Sequence, residues 1–127
     1  MRYLIVGGGI AGTCAAEELR KLDAEAEITI LSEEQHRLYS RVLLPHYIKA
    51  KVPRERVFLK KTAWYDEQKI DWLPGVIAET LDVKNKFVGA SDGREYEYDK
   101  LLLATGGEVK LVAGDARGVS YFRTLDD

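Results

Sequence analysis

The chain has 127 residues, 46% hydrophobic and 31% charged, which suits one globular domain over residues 1–127 and excludes a disordered chain. A net charge of −2 provides no overall positive field to draw it to nucleic acid. One cysteine excludes a disulfide framework or cysteine-rich metal site, and no run reaches the ~18 apolar residues of a membrane span.

Met1 leads directly into Tyr3-Leu4-Ile5-Val6 with no signal-peptide layout, so the expected location is cytoplasmic. That short run, rich in β-branched residues and stopped by three glycines, predicts a strand buried on both faces, as in a parallel sheet. From Ile10 the period becomes helical. Ile10, Ala11, Cys14, Ala15, Leu19 and Leu22 form the predicted apolar stripe, with Thr13, Glu17, Arg20 and Lys21 opposite. The stripe places Cys14 in the core as a small packing residue, not a reactive thiol. After a polar break at Asp23 to Ala26, Ile28 to Leu31 predicts a second buried strand. The order is strand, glycine turn, helix, strand.

The turn Gly7-Gly8-Gly9-Ile10-Ala11-Gly12 fits G-x-G-x-x-G. In that pattern Gly7 permits a tight bend, Gly9 lets a pyrophosphate approach the backbone, and Gly12 lets the helix lie close on the sheet. Phosphates would face the unpaired N–H groups and positive dipole end of the helix. A dinucleotide also needs an acid at the end of the second strand for its ribose. Glu33 and Glu34 stand there, with Glu33 21 positions beyond Gly12 against an expected ~20. An acid there repels a 2′-phosphate, so the ligand reads as NAD or FAD rather than NADP.

His36 to Leu59 has no clean period, although Leu38 to Pro45 can turn into a short helix with Pro45 in or near its first turn. Lys49, Lys51, Arg54, Arg56, Lys60 and Lys61 form a basic stretch broken by Glu55 alone among acids. It reads as a solvated face or as a docking patch for an acidic protein. Thr62 is the candidate cap of a helix through Asp66. Ile70 to Leu73 predicts a third strand. Val76 to Val83, Phe87 to Ala90 and Arg94 to Tyr98 then predict an antiparallel meander, with Asp92-Gly93 as its tight turn. Leu101 to Ala104 reads as another doubly buried strand, opening into Thr105-Gly106-Gly107 at the sheet's ligand-binding edge. Val119 to Phe122 predicts a last strand. His36 and His46 read as loop or surface residues, and Asp66, Asp71, Asp82 and Asp99 as turn and cap residues. The fold class is α/β: a Rossmann-like parallel sheet with an added three-stranded meander.

The turn GGGIAG, the run LYSRVLLP, the stretch DGREYEYDKLLLATGG and the tail GVSYFRTLDD resemble the FAD-binding domain of pyridine nucleotide-disulfide oxidoreductases. The resemblance is narrowest to the branch of rubredoxin and ferredoxin reductases and the NADH-dependent nitrite reductase flavoprotein. It covers nearly the whole chain. It implies that Gly7, Gly9, Ile10, Ala11 and Gly12 hold the FAD pyrophosphate and that Glu33 or Glu34 binds the adenosine ribose. Arg41 matches an arginine near the pyrophosphate and flavin. Ala78 stands where a valine backbone usually pairs with adenine, and Ala104, Thr105 and Gly106 match a turn packed on the cofactor. NAD(P)H would reduce the flavin, and electrons would pass to a redox protein or small acceptor.

The sequence also departs from the family pattern. No Cys-x-x-x-x-Cys pair follows the first helix, and Val42 stands where some branches carry a single cysteine, so thiol chemistry is not expected. The family continues into an NADH domain and then a strand ending in Gly-Asp; Gly114-Asp115, which has no buried strand ahead of it, is not that element. The expected chain is therefore an incomplete fold, an excised domain or half of a split protein, that does not turn over alone. The residues themselves leave a second reading: an NAD- or ADP-binding module, or partner-dependent subunit, without redox activity. A purely structural interaction domain is a third. Apolar surface left where strands are missing would favour homo-oligomers.

Overall fold

The computed structural model describes residues 1–114 and 117–127; Asp115 of the Gly114-Asp115 pair lies outside them. The extended runs form β1 (Arg2–Val6), β2 (Glu27–Ser32), β3 (Ile70–Pro74) and β7 (Lys100–Leu103), joined in one parallel sheet of order β3-β2-β1-β7. The meander is β4 (Ala78–Asp82), β5 (Phe87–Ala90) and β6 (Glu95–Glu97), paired antiparallel in that order. Its Asp92-Gly93 turn closes with Gly93 at φ +80°, a backbone conformation suited to glycine.

Alternating side chains of β1 serve opposite faces. Ile5 joins Ile28, Ile30, Ile70, Tyr65 and Ala16 beneath α1 (Ile10–Leu22) and α4 (Thr62–Glu67). Leu4 and Val6 join Leu31, Val88, Ala90 and Tyr98 on the meander side. A third cluster, Tyr39, Leu44 and Val57 with Phe58 and Leu125, seats α2 (Leu44–Ile48), α3 (Arg54–Val57) and the C-terminal tail. A 3-10 turn at Arg41–Leu43 leads into α2, whose Pro45 lies in the first turn as expected.

Four expectations are corrected. The fully buried residues of α1 are Gly12, Thr13 and Ala16, because the helix lies so close to the sheet that only small residues fit there; Ala15 and Leu19 of the expected stripe pack on the core, but Cys14 is exposed and Leu22 is 83% exposed. Thr62 is the first helical residue of α4, not its cap; Lys61 stands at the cap and makes no side-chain bond there. β7 is not doubly buried. Among the described residues it is an edge strand, paired only with β1, and Leu103 is 60% exposed. Residues 119–122 form no strand, and the tail instead packs as irregular chain, with Leu125 on the third cluster.

Candidate functional site

The glycine turn sits at the carboxyl edge of the sheet, between the ends of β1, β2 and β7. Gly7 adopts φ +118°, and its N–H donates to the Leu31 carbonyl at 2.8 Å. A Cβ built there would lie 2.1 Å from the Ala104 carbonyl oxygen, so the turn and the Ala104-Thr105-Gly106 segment meet backbone to backbone. At Gly8 a Cβ would stand 2.6 Å from Ser32 Oγ. Gly9 differs: nothing lies within 4 Å of its would-be Cβ. Gly9 also stands at the N-cap of α1, which has no side-chain cap bond and no acidic residue in its first turn. The first N–H groups of a helix have no intrahelical partners, so Ile10, Ala11 and Gly12 present an uncapped, positively polarised end beside open space.

That space continues into a cavity of about 220 Å³, whose lining includes Gly8, Gly9, Ser32, Glu34, Tyr39 and Arg41. Small-ligand pockets usually span ~300–1,000 Å³, so this one suits part of a dinucleotide. The two candidate acids separate here. Glu34 lines the cavity, whereas Glu33 is exposed and does not. Glu34 Oε1 accepts from Arg41 Nη2 at 2.6 Å, and Oε2 accepts from the Tyr39 hydroxyl. Each carboxylate oxygen keeps a second lone pair, so Glu34 can still accept from a ligand hydroxyl.

The structure therefore brings Gly9, Ile10, Glu34 and Arg41 to one cavity, with Gly7, Gly12, Ala104 and Thr105 shaping or backing the turn; Gly106, at φ +71°, has only Arg123 Nη2 near its would-be Cβ, at 3.9 Å. Ala78 is apart, in a second depression of about 200 Å³ with Val6, Leu103 and Thr105 among its lining residues. Sequence reasoning did not single out Ser32, Arg37 or Tyr39, all of which line the cavity. His36, read as a loop or surface residue, lines it too and pairs with Asp126 at 2.7 Å, while His46 is exposed on α2. The available signal was a single tyrosine set among charged and polar residues in the aperiodic run just after β2. Burial, and then donation to Glu34, push the Tyr39 hydroxyl up to about 12, so it is held as a proton donor. Among the described residues no group of three or more His, Cys, Asp or Glu could hold a metal, and no helix is long and apolar enough to cross a membrane.

The family profile described as "Pyridine nucleotide-disulphide oxidoreductase" matches residues 1–127. The chain is 34% identical to the "Biphenyl dioxygenase system ferredoxin--NAD(+) reductase component" of Paraburkholderia xenovorans, over 97% of this chain and 31% of that protein. It is 33% identical to the "Rubredoxin-NAD(+) reductase" of Pseudomonas putida, over 100% of this chain and 34% of the relative. Among solved structures, the covalent putidaredoxin reductase–putidaredoxin complex matches with a TM-score of 0.90 at 30% identity, over 99% of this chain and 32% of that one. NADH:rubredoxin oxidoreductase from Clostridium acetobutylicum matches with 0.84 at 26% identity, over 98% and 33%. The chain thus spans about a third of the length of these two curated relatives, and 17% of the "Assimilatory nitrate reductase electron transfer subunit" of Bacillus subtilis.

Proposed function

The chain belongs to the pyridine nucleotide-disulphide oxidoreductase family, and from that premise we propose that it is the N-terminal FAD-binding portion of an NAD(P)H-dependent flavoprotein reductase. The whole protein would pass electrons from a nicotinamide through the flavin to a redox protein or small acceptor. The observation that carries the reading is the open space at Gly9 over the uncapped start of α1, with Glu34 on the same cavity. The fit to the cofactor is steric as well as electrostatic: Cβ atoms at Gly7 and Gly12 would collide with backbone, and the absence of one at Gly9 leaves a diphosphate its approach.

Ile10, Ala11 and Gly12 would donate their amides to the diphosphate, Arg41 would add positive charge, and Glu34 or Glu33 would accept from the ribose. The Ala78 backbone would take adenine, and Ala104 to Gly106 would support the turn. When bound, FAD supplies hydride acceptance and release of electrons to a carrier. The chain's own contribution is binding and orientation.

The basic stretch supports an acidic electron carrier as partner. Lys49, Lys51, Arg56 and Lys61 are exposed and form no ion pair among the described residues, whereas Lys60 pairs with Glu17 at 3.2 Å. Cytoplasmic location, a companion subunit and self-association through the β7 edge belong to the same proposal. A second reading, an NAD or ADP module without redox activity, draws on the cavity being lined by elements suited to the ADP half of a dinucleotide. Thermal shift with FAD, ADP and NAD decides between them. Stabilisation by FAD with a yellow complex supports the first reading, response to ADP or NAD but not FAD supports the second, and no response to any of the three overturns both.

A further inference from the structure

Tyr39 stands where the cavity meets the C-terminal tail. Its backbone bridges to Phe58, and the residue is 8% exposed in the cluster with Leu44, Val57 and Leu125. A phenol hydroxyl has one proton to give and lone pairs to receive. Here the Tyr39 hydroxyl gives its proton to Glu34 Oε2, while its own oxygen accepts from the Leu125 N–H at 3.1 Å. Arg41 repeats the pattern: Nη2 donates to Glu34 Oε1 and Nη1 to the Arg123 carbonyl, each at 2.6 Å. His36 Nε2 adds a contact to Asp126. Asp127 Oδ2 accepts from the Arg123 and Thr124 amides and folds the segment on itself. Every one of these bonds from the tail to the rest of the chain ends on a residue that lines the cavity.

We infer that Tyr39 is a positioning residue: its hydroxyl aims Glu34 at the ligand ribose and, by the same atom, couples occupancy of the cavity to docking of residues 123–127. The inference rests on the reading of the cavity as an adenine-nucleotide site. The physical basis is shared ordering. Docking the tail immobilises Tyr39, Arg41 and thereby Glu34, so a ligand arriving second meets groups whose freedom is already lost. Linkage makes the effect reciprocal, so a ligand bound first must favour the docked tail by the same factor.

The test uses the 127-residue chain, ADP as probe and amide NMR of labelled leucine. In the unaltered chain, saturating ADP is expected to move the Leu125 resonance and slow its exchange. Tyr39→Phe keeps the ring and removes the hydroxyl. It should weaken ADP by about three- to tenfold, the worth of one hydrogen bond, and abolish the ADP-dependent change at Leu125. Removing residues 123–127 from the unaltered chain should weaken ADP to a similar degree, but change little further in the Tyr39→Phe background. That non-additivity is a readout that a merely structural tyrosine would not give. If Tyr39→Phe fails to fold, the truncation alone decides: unchanged ADP affinity without the tail overturns the coupling. Additive losses, or ADP binding that leaves Leu125 unmoved, also overturn it and leave the site reading standing. An unaltered chain that binds no ADP overturns both.

Discussion

Gly7 and Gly12 meet so closely that a Cβ on Gly12 would stand 1.9 Å from the Gly7 carbonyl oxygen and 3.1 Å from Ile5 Cγ2. Backbone cannot give way there as a flexible side chain could. Two glycines away in the same motif, Gly9 is surrounded by open space and has φ −75°, which any residue can adopt. One motif therefore holds two kinds of glycine, one required by the fold and one with room for a side chain.

The first prediction separates them. Gly12→Ala should destabilise the chain by at least ~1–3 kcal/mol, the usual cost of overpacking, seen as a lower denaturant midpoint. Gly9→Val should keep the circular dichroism and melting temperature of the unaltered chain while losing FAD and ADP binding by titration. Normal nucleotide affinity in Gly9→Val would contradict the phosphate-cradle assignment.

The second prediction divides the two acids. Glu34 lines the cavity between Tyr39 and Arg41, and Glu33 faces solvent. Glu34→Gln should weaken ADP by roughly 1–3 kcal/mol if a charge-assisted bond to the ribose is lost, and Glu33→Gln by less than about 0.5 kcal/mol. Calorimetric titration of both variants checks the order. The reverse order would move the ribose contact to Glu33.

What was legible in the sequence follows from how local each signal is. The Gly7 to Gly12 turn, the meander with its Asp92-Gly93 bend, and the strands β1 and β2 themselves are set by neighbours a few residues apart, and all appear where expected. The stripe on α1 held at Ala15 and Leu19, which pack against the core, but misled at Cys14 and Leu22, because close approach to the sheet selects small size: Gly12, Ala16, and Thr13, whose hydroxyl donates to the Gly8 carbonyl at 3.3 Å. The leucines of β7 look like a central strand because composition does not say which strand lies at an edge. Least legible was the set joining Glu34, Tyr39 and Arg41 to the tail, since Tyr39 and Leu125 are 86 residues apart and no period links them.

The third prediction concerns alkaline pH. The Tyr39 hydroxyl is raised from 10.0 to about 12 by burial first and by its bond to Glu34 second. The folded chain therefore holds this proton after the unfolded chain has released it, and stability must fall as pH rises through that interval. Sign and window follow: the contribution is fully present below pH 10 and lost between 10 and about 12. Denaturant midpoints of the unaltered chain and Tyr39→Phe, compared at steps across that range, should converge as pH rises. Curves that stay parallel would mean that the proton is not specially held.

The fourth prediction addresses the free edge. β7 pairs with β1 on one side and, among the described residues, with nothing on the other, while Leu102 is 38% and Leu103 60% exposed. An exposed apolar edge strand offers a row of unpaired N–H and C=O groups to any other chain, and natural sheets blunt such edges with charge, especially lysine. Lys100 is the only charged residue within β7, at its start, away from the exposed leucines. The chain by itself should therefore associate with rising concentration in sedimentation velocity. Leu103→Lys should shift that equilibrium toward monomer with little effect on β1 pairing, because the side chain it replaces is mostly in solvent. Association unaffected by this substitution would place the contact elsewhere, with the exposed Leu111 and Val112 segment as the next surface to alter.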